Sequence, residues 1–83
     1  MLSSKELSKL TLESIESQDQ IQELADTIFN IDNNIPGCLV SEEEVNACLF
    51  RLGIADENGI FYCESQLKGK ALKGFKNLVA LID

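Results

Sequence analysis

The side chains able to do chemistry here are fourteen carboxylates, seven amine or guanidinium groups and three thiols, with no histidine. Without an imidazole, Ser-His-Asp and Cys-His nucleophiles and histidine-ligated metals are unavailable. Cys38, Cys48 and Cys63 are spaced by 10 and 15 residues, which matches neither a CxxC metal knuckle nor an even-numbered disulfide framework, so they read as reduced thiols. The stretch from Gly69 to Gly74 lacks the Lys-Ser/Thr ending of a phosphate-binding loop. The carboxylates are spread over caps and polar helix faces rather than paired. The chain therefore reads as non-catalytic, without cofactor or metal.

The residues left for function are those that touch partners. Lys70, Lys73 and Lys76 recur every three residues and form either a docking stripe for an acidic partner or the ordinary solvated face of an amphipathic helix. Phe61 and Tyr62 are either an exposed aromatic anchor or core. Charge is segregated: residues 1–65 carry thirteen acids and three bases, net -10, whereas residues 66–83 carry four lysines and Asp83, net +3. The overall charge of -7 disfavours nucleic acid, whose phosphates would be repelled, and favours basic protein partners.

These groups must be held by one small core, since a chain of 83 residues buries only about 60–65% of the surface its unfolded form exposes. The expected fold is all-α, a single domain over 1–83 with about four helices and a short extended piece near 60–63. Ser3 and Glu6 have capping-box spacing, so a first helix is expected from about Ser4 to about Ser14. Ser17 with Gln20 offers a second box, which predicts a break near Ser17, although a continuous helix is the alternative. Ile21, Leu24, Ala25, Ile28 and Phe29 follow the i, i+3, i+4, i+7, i+8 pattern of one buried face, and Asp32 to Gly37 stops the helix with turn formers and a proline.

Ser41 and Glu44 cap a third helix whose inward stripe is Val45, Cys48, Leu49 and Leu52, with Gly53 as C-cap and Ile54 beyond it. Glu42, Glu43 and Glu44 sit where the positive end of the helix dipole favours carboxylates. Ile60 to Cys63 reads as extended, with Cys38 to Val40 as the other candidate strand. Ser65 is expected to cap a last helix, closing at Ile82 and Asp83, that buries Leu67, Ala71, Phe75, Leu78, Val79 and Ile82. Gly69 and Gly74 inside it would each cost roughly 1 kcal/mol relative to Ala, and close approach of another helix would explain them. The core is expected around Leu24, Ile28, Leu49, Leu52, Phe75, Leu78 and Ile82.

Residues 23–32, then Gly37, Leu39 and Glu43, then Val45, Leu49, Leu52 and Gly53, resemble the helix-loop-helix of an EF-hand. Asp32 matches the first loop position, Asn34 the third, Gly37 the turn glycine, Leu39 the central aliphatic and Glu43 the twelfth. Pro36 and Val40 stand at the fifth and ninth positions without a side-chain oxygen, and the helix fits better with Glu44 in last place. Too few ligands remain for the roughly six to eight that calcium takes. The resemblance therefore implies a metal-free, calmodulin-like or light-chain-like hand that holds an amphipathic, often basic helix in an apolar groove.

The expected function is a non-catalytic protein-binding module, regulatory or light-chain-like, marked by a hydrophobic groove between the second and third helices. The alternative is a small acidic inhibitor or immunity-type protein that covers a basic or nucleic-acid-binding surface of its target. No apolar run reaches the roughly 18 residues of a membrane span, and the N-terminus lacks a signal-peptide core, so a cytoplasmic location without membrane contact is expected. Oligomeric state is left open.

Overall fold

The structure, a computed structural model, describes residues 2–82. Met1 and Asp83, the last residue of the expected final helix, lie outside the described residues. Among the described residues there are four α-helices, α1 (Ser4–Lys9), α2 (Gln18–Asp32), α3 (Glu42–Leu52) and α4 (Gly69–Ile82), with 3-10 turns at Ser14–Glu16 and Glu64–Gln66. The fold is a small all-α bundle in which α4 packs chiefly against α2 and the first 3-10 turn, and α1 packs against α3. None of the described helices is long and apolar enough to cross a membrane.

The expected capping box opens α1: Ser3 Oγ accepts from the Glu6 N–H, and the Glu6 carboxylate accepts from the Ser3 N–H. A bond from the Ser3 hydroxyl and the one from its amide hold the Glu6 carboxyl below its ordinary value. The helix then stops at Lys9, five residues short of the expectation. Two interactions stop it. Thr11 Oγ1 accepts from the Ser14 N–H and starts the 3-10 turn, which carries Ile15 into complete burial. Across the chain, Arg51 donates to the Leu10 and Leu7 carbonyls at 2.6 and 3.1 Å, placing a cation at the negative end of α1. Ser17 does precede α2, but its hydroxyl makes no capping bond, so the expected box with Gln20 is absent.

In α2, Ile21, Leu24, Ala25 and Ile28 are buried as expected, whereas Phe29 is 54% exposed. The buried arc instead reaches Thr27, because the N-terminal segment lies over it: Thr27 Oγ1 accepts from the Leu2 N–H at 3.2 Å and donates to the Glu23 carbonyl at 2.8 Å. Phe29 is left at the far margin, about 100° beyond Ile28.

Half of the expected capping box opens α3: Ser41 Oγ accepts from the Glu44 N–H, while the Glu44 carboxylate accepts from the Ser41 hydroxyl at 3.4 Å rather than from its amide. Val45, Cys48, Leu49 and Leu52 are buried as expected. Gly53 closes the helix at φ 81, the left-handed region, with the Ile54 N–H on the Leu49 carbonyl. The extended piece pairs locally, Ala55 with Phe61, rather than with 38–40. A tight reversal makes that pairing possible, since Asp56 Oδ1 accepts from the N–H groups of Asn58 and Ile60.

Ser65 does not cap the last helix. The Gln66 side chain accepts from the Cys63 N–H, folding 64–66 into a 3-10 turn, and α4 begins only at Gly69, whose φ is +59. Gly69 is thus at the helix edge, while Gly74 is interior and buried. What approaches Gly74 is the side chain of Ile15 from the 3-10 turn, not another helix. Leu24, Ile28, Leu49, Leu52, Phe75 and Leu78 are buried as expected and Ile82 packs against them half-buried.

Candidate functional site

The C-terminal turn of α2, the first two turns of α3 and the 56–61 reversal converge on a cavity of about 280 Å³. Its floor is Ile28, Val45 and Leu49, all buried, with Ile31 and Phe61 half-buried at its sides. Around it stand Asp32, Glu42, Asn46, Asn58 and the lip residue Ile60, which is 64% exposed. Helical spacing explains the convergence: Ile28, Ile31 and Asp32 share one face of α2, and Glu42, Val45, Asn46 and Leu49 share one face of α3. The lip is pinned closely. A Cβ on Gly59, whose φ is +81, would collide with the Asn46 carboxamide, so the absence of a side chain lets the reversal lie directly on α3. The Tyr62 N–H donates to the Ile54 carbonyl and Phe61 meets Phe75 edge-to-face at 5.8 Å between ring centres, tying the groove wall to the core.

The electrostatics of the rim are one-sided. Glu42 lies in the first turn of α3, where the dipole favours it. Asp32 is the last residue of α2, where the same dipole opposes a carboxylate. Neither has an ion-pair partner among the described residues; the described pair is Lys70 with Glu13, at 2.7 Å.

The sequence-derived partner residues are not gathered in one place. Lys70 is engaged by Glu13, which raises the Lys70 amine and lowers the Glu13 carboxyl from their ordinary values through the shared hydrogen bond and charge. Lys73 and Lys76 are exposed on α4. Phe61 and Tyr62 are half-buried against the core, and Phe61 also lines the groove. Residue order does not mark Asn46, Asn58 or Ile60 as site residues, although Ile60 opens the expected extended piece, because their roles come from the meeting of α3 with the reversal, which has no periodic signature.

In the segment with EF-hand-like spacing, Asp32 still belongs to α2, Asn34 and Gly37 have φ of 53 and 92, and Glu43 is exposed in α3. Among the described residues no three His, Cys, Asp or Glu side chains are grouped to hold a metal ion. The thiols are unpaired: Cys63 exposed, Cys38 half-buried and Cys48 buried. Burial pushes the Cys48 thiol up, against the neighbouring Arg51.

Among the described residues, Phe29, Ile35, Leu39, Phe50 and Ile60 are the exposed large hydrophobic ones, and all belong to the stretch from α2 to the reversal that also builds the groove. No family model, no curated protein and no solved structure matches this chain.

Proposed function

We propose that the chain is a non-catalytic protein-binding module that holds an amphipathic helix of a partner in the groove between α2 and α3. The observation that carries this reading is the groove itself, an apolar floor of Ile28, Val45 and Leu49 beneath the carboxylates of Asp32 and Glu42. A helix with an apolar stripe and basic flanks is complementary to both features. The metal-free, EF-hand-like spacing of residues 23–53 points the same way, as does the exposed apolar side chain of Ile60 at the lip.

The test is retention of proteins from the source-cell lysate on immobilised chain, wild type against Ile60→Ser, at low and high salt, with crosslinks mapped by mass spectrometry. The expected result is a partner crosslinked to α2 and α3, retained at high salt and weakened several-fold by I60S. A partner crosslinked elsewhere and indifferent to I60S would overturn the reading.

The charge of -10 over residues 1–65 favours a second reading, an acidic inhibitor that covers a basic surface of its target. Its outcome differs: binding is lost steeply with salt and responds to Glu43 and Glu44, which do not line the groove, rather than to Ile60.

A further inference from the structure

At about 280 Å³ the groove lies below the roughly 300–1,000 Å³ of small-molecule sites. It is sized for one long side chain of a partner, and its lining is mixed. The floor is aliphatic, but two carboxylates and two carboxamides stand at its edge. A purely apolar anchor would strip water from Asp32 and Glu42 and return nothing to them. A long cationic side chain satisfies both parts of the lining, because its methylenes lie on apolar surface while its head remains polar.

We infer that the partner residue seated in this groove is an arginine or lysine, its methylenes on Ile28, Val45 and Leu49 and its head between Asp32 and Glu42. This rests on the reading of the groove as a docking surface. Asp32 carries the most weight, since it stands at the end of α2 where a carboxylate is least welcome and has no cation of its own among the described residues. Glu42, by contrast, also serves α3. The Asn46 and Asn58 carboxamides add acceptors for guanidinium N–H groups, and the acidic body of the chain draws such a partner toward the site.

The experiment titrates the isotopically labelled full chain, followed by amide NMR, with three alanine-based helical peptides that differ only at a central residue: arginine, its neutral isostere citrulline, or norleucine. The expected result is that the arginine peptide shifts the amides of Ile28, Asp32, Glu42, Val45 and Leu49. Citrulline should bind at least about 10-fold more weakly, a loss of about 1.4 kcal/mol. Asp32→Asn and Glu42→Gln should each weaken the arginine peptide several-fold with the rest of the amide spectrum unchanged. If norleucine binds the same amides as tightly as arginine and ignores D32N, the cationic anchor is wrong and the docking groove stands. If no peptide moves the groove amides, or if they move with protein concentration alone, the groove is not a helix-docking site and both readings fail.

Discussion

Gly74 and Ile15 form a contact whose energetics can be worked from the structure. A Cβ on Gly74 would lie 2.5 Å from Ile15 Cδ1 and 3.2 Å from Cγ1, with Leu12 Cδ2 at an ordinary 3.8 Å. Replacing Gly by Ala inside a helix is worth about 1 kcal/mol when nothing else changes. Here Ile15 Cδ1 must withdraw by roughly 1 Å to reach ordinary contact, in an interior packed as densely as an organic crystal, and Ile15 is completely buried. Overpacking of that kind costs about 1–3 kcal/mol. Gly74→Ala should therefore destabilise the protein by about 1 kcal/mol net. Ile15→Val deletes Cδ1 and by itself costs about 1 kcal/mol. Combined with Ile15→Val, the same Gly74→Ala change should become neutral or stabilising, because the new methyl enters vacated space. The pair is thus expected to couple by about 1–2 kcal/mol. Urea denaturation of the four proteins, with midpoints and slopes compared, measures this directly. If Gly74→Ala stabilises the wild-type background by about 1 kcal/mol and the two changes add, Ile15 moves without cost and the argument is refuted.

Asp32→Asn should raise stability by about 0.3 kcal/mol or more, by removing a carboxylate from the unfavourable end of the α2 dipole, in the same variant that is expected to lose binding; a destabilised D32N would mean that Asp32 has a structural role. Arg51→Met should cost about 2 kcal/mol by removing the guanidinium bonds to the Leu10 carbonyl and to the Leu7 carbonyl, the latter keeping the Leu10 N–H and the Cys48 thiol as donors, with hydrogen exchange accelerated first in α1. Thr27→Val leaves the buried Leu2 N–H without its acceptor and should cost about 1–3 kcal/mol, read as a lowered urea midpoint. Because Lys70 holds the Glu13 carboxyl below its ordinary value, that interaction is present above the ordinary carboxylate range and is lost as pH falls through the lowered value. In Lys70→Met the Glu13 midpoint, followed by carboxyl NMR, should move up; an unmoved midpoint would show that the ion pair does not persist in solution.

Local chemistry was legible in the residues themselves. Ser3 with Glu6, Ser41 with Glu44 and Gly53 with Ile54 specify helix ends because the capping atoms are within a few residues of the groups they satisfy. The stripes of α2 and α3 reveal which face is buried because a helix repeats about every 3.6 residues. Residue order alone thus dictates an all-α chain, most of its core and the acidic character of its body. It leaves open whatever depends on residues far apart. Arg51 ends α1 from 41 and 44 positions away, Leu2 draws Thr27 inward at the expense of Phe29, and Ile15, from a distant turn, explains Gly74. The site is of this second kind. Its floor follows from helical periodicity, but the groove exists only because Asn46 receives Gly59 and brings Ile60 to the lip. That meeting of a helix with a turn is decided by tertiary packing, for which no local pattern is diagnostic.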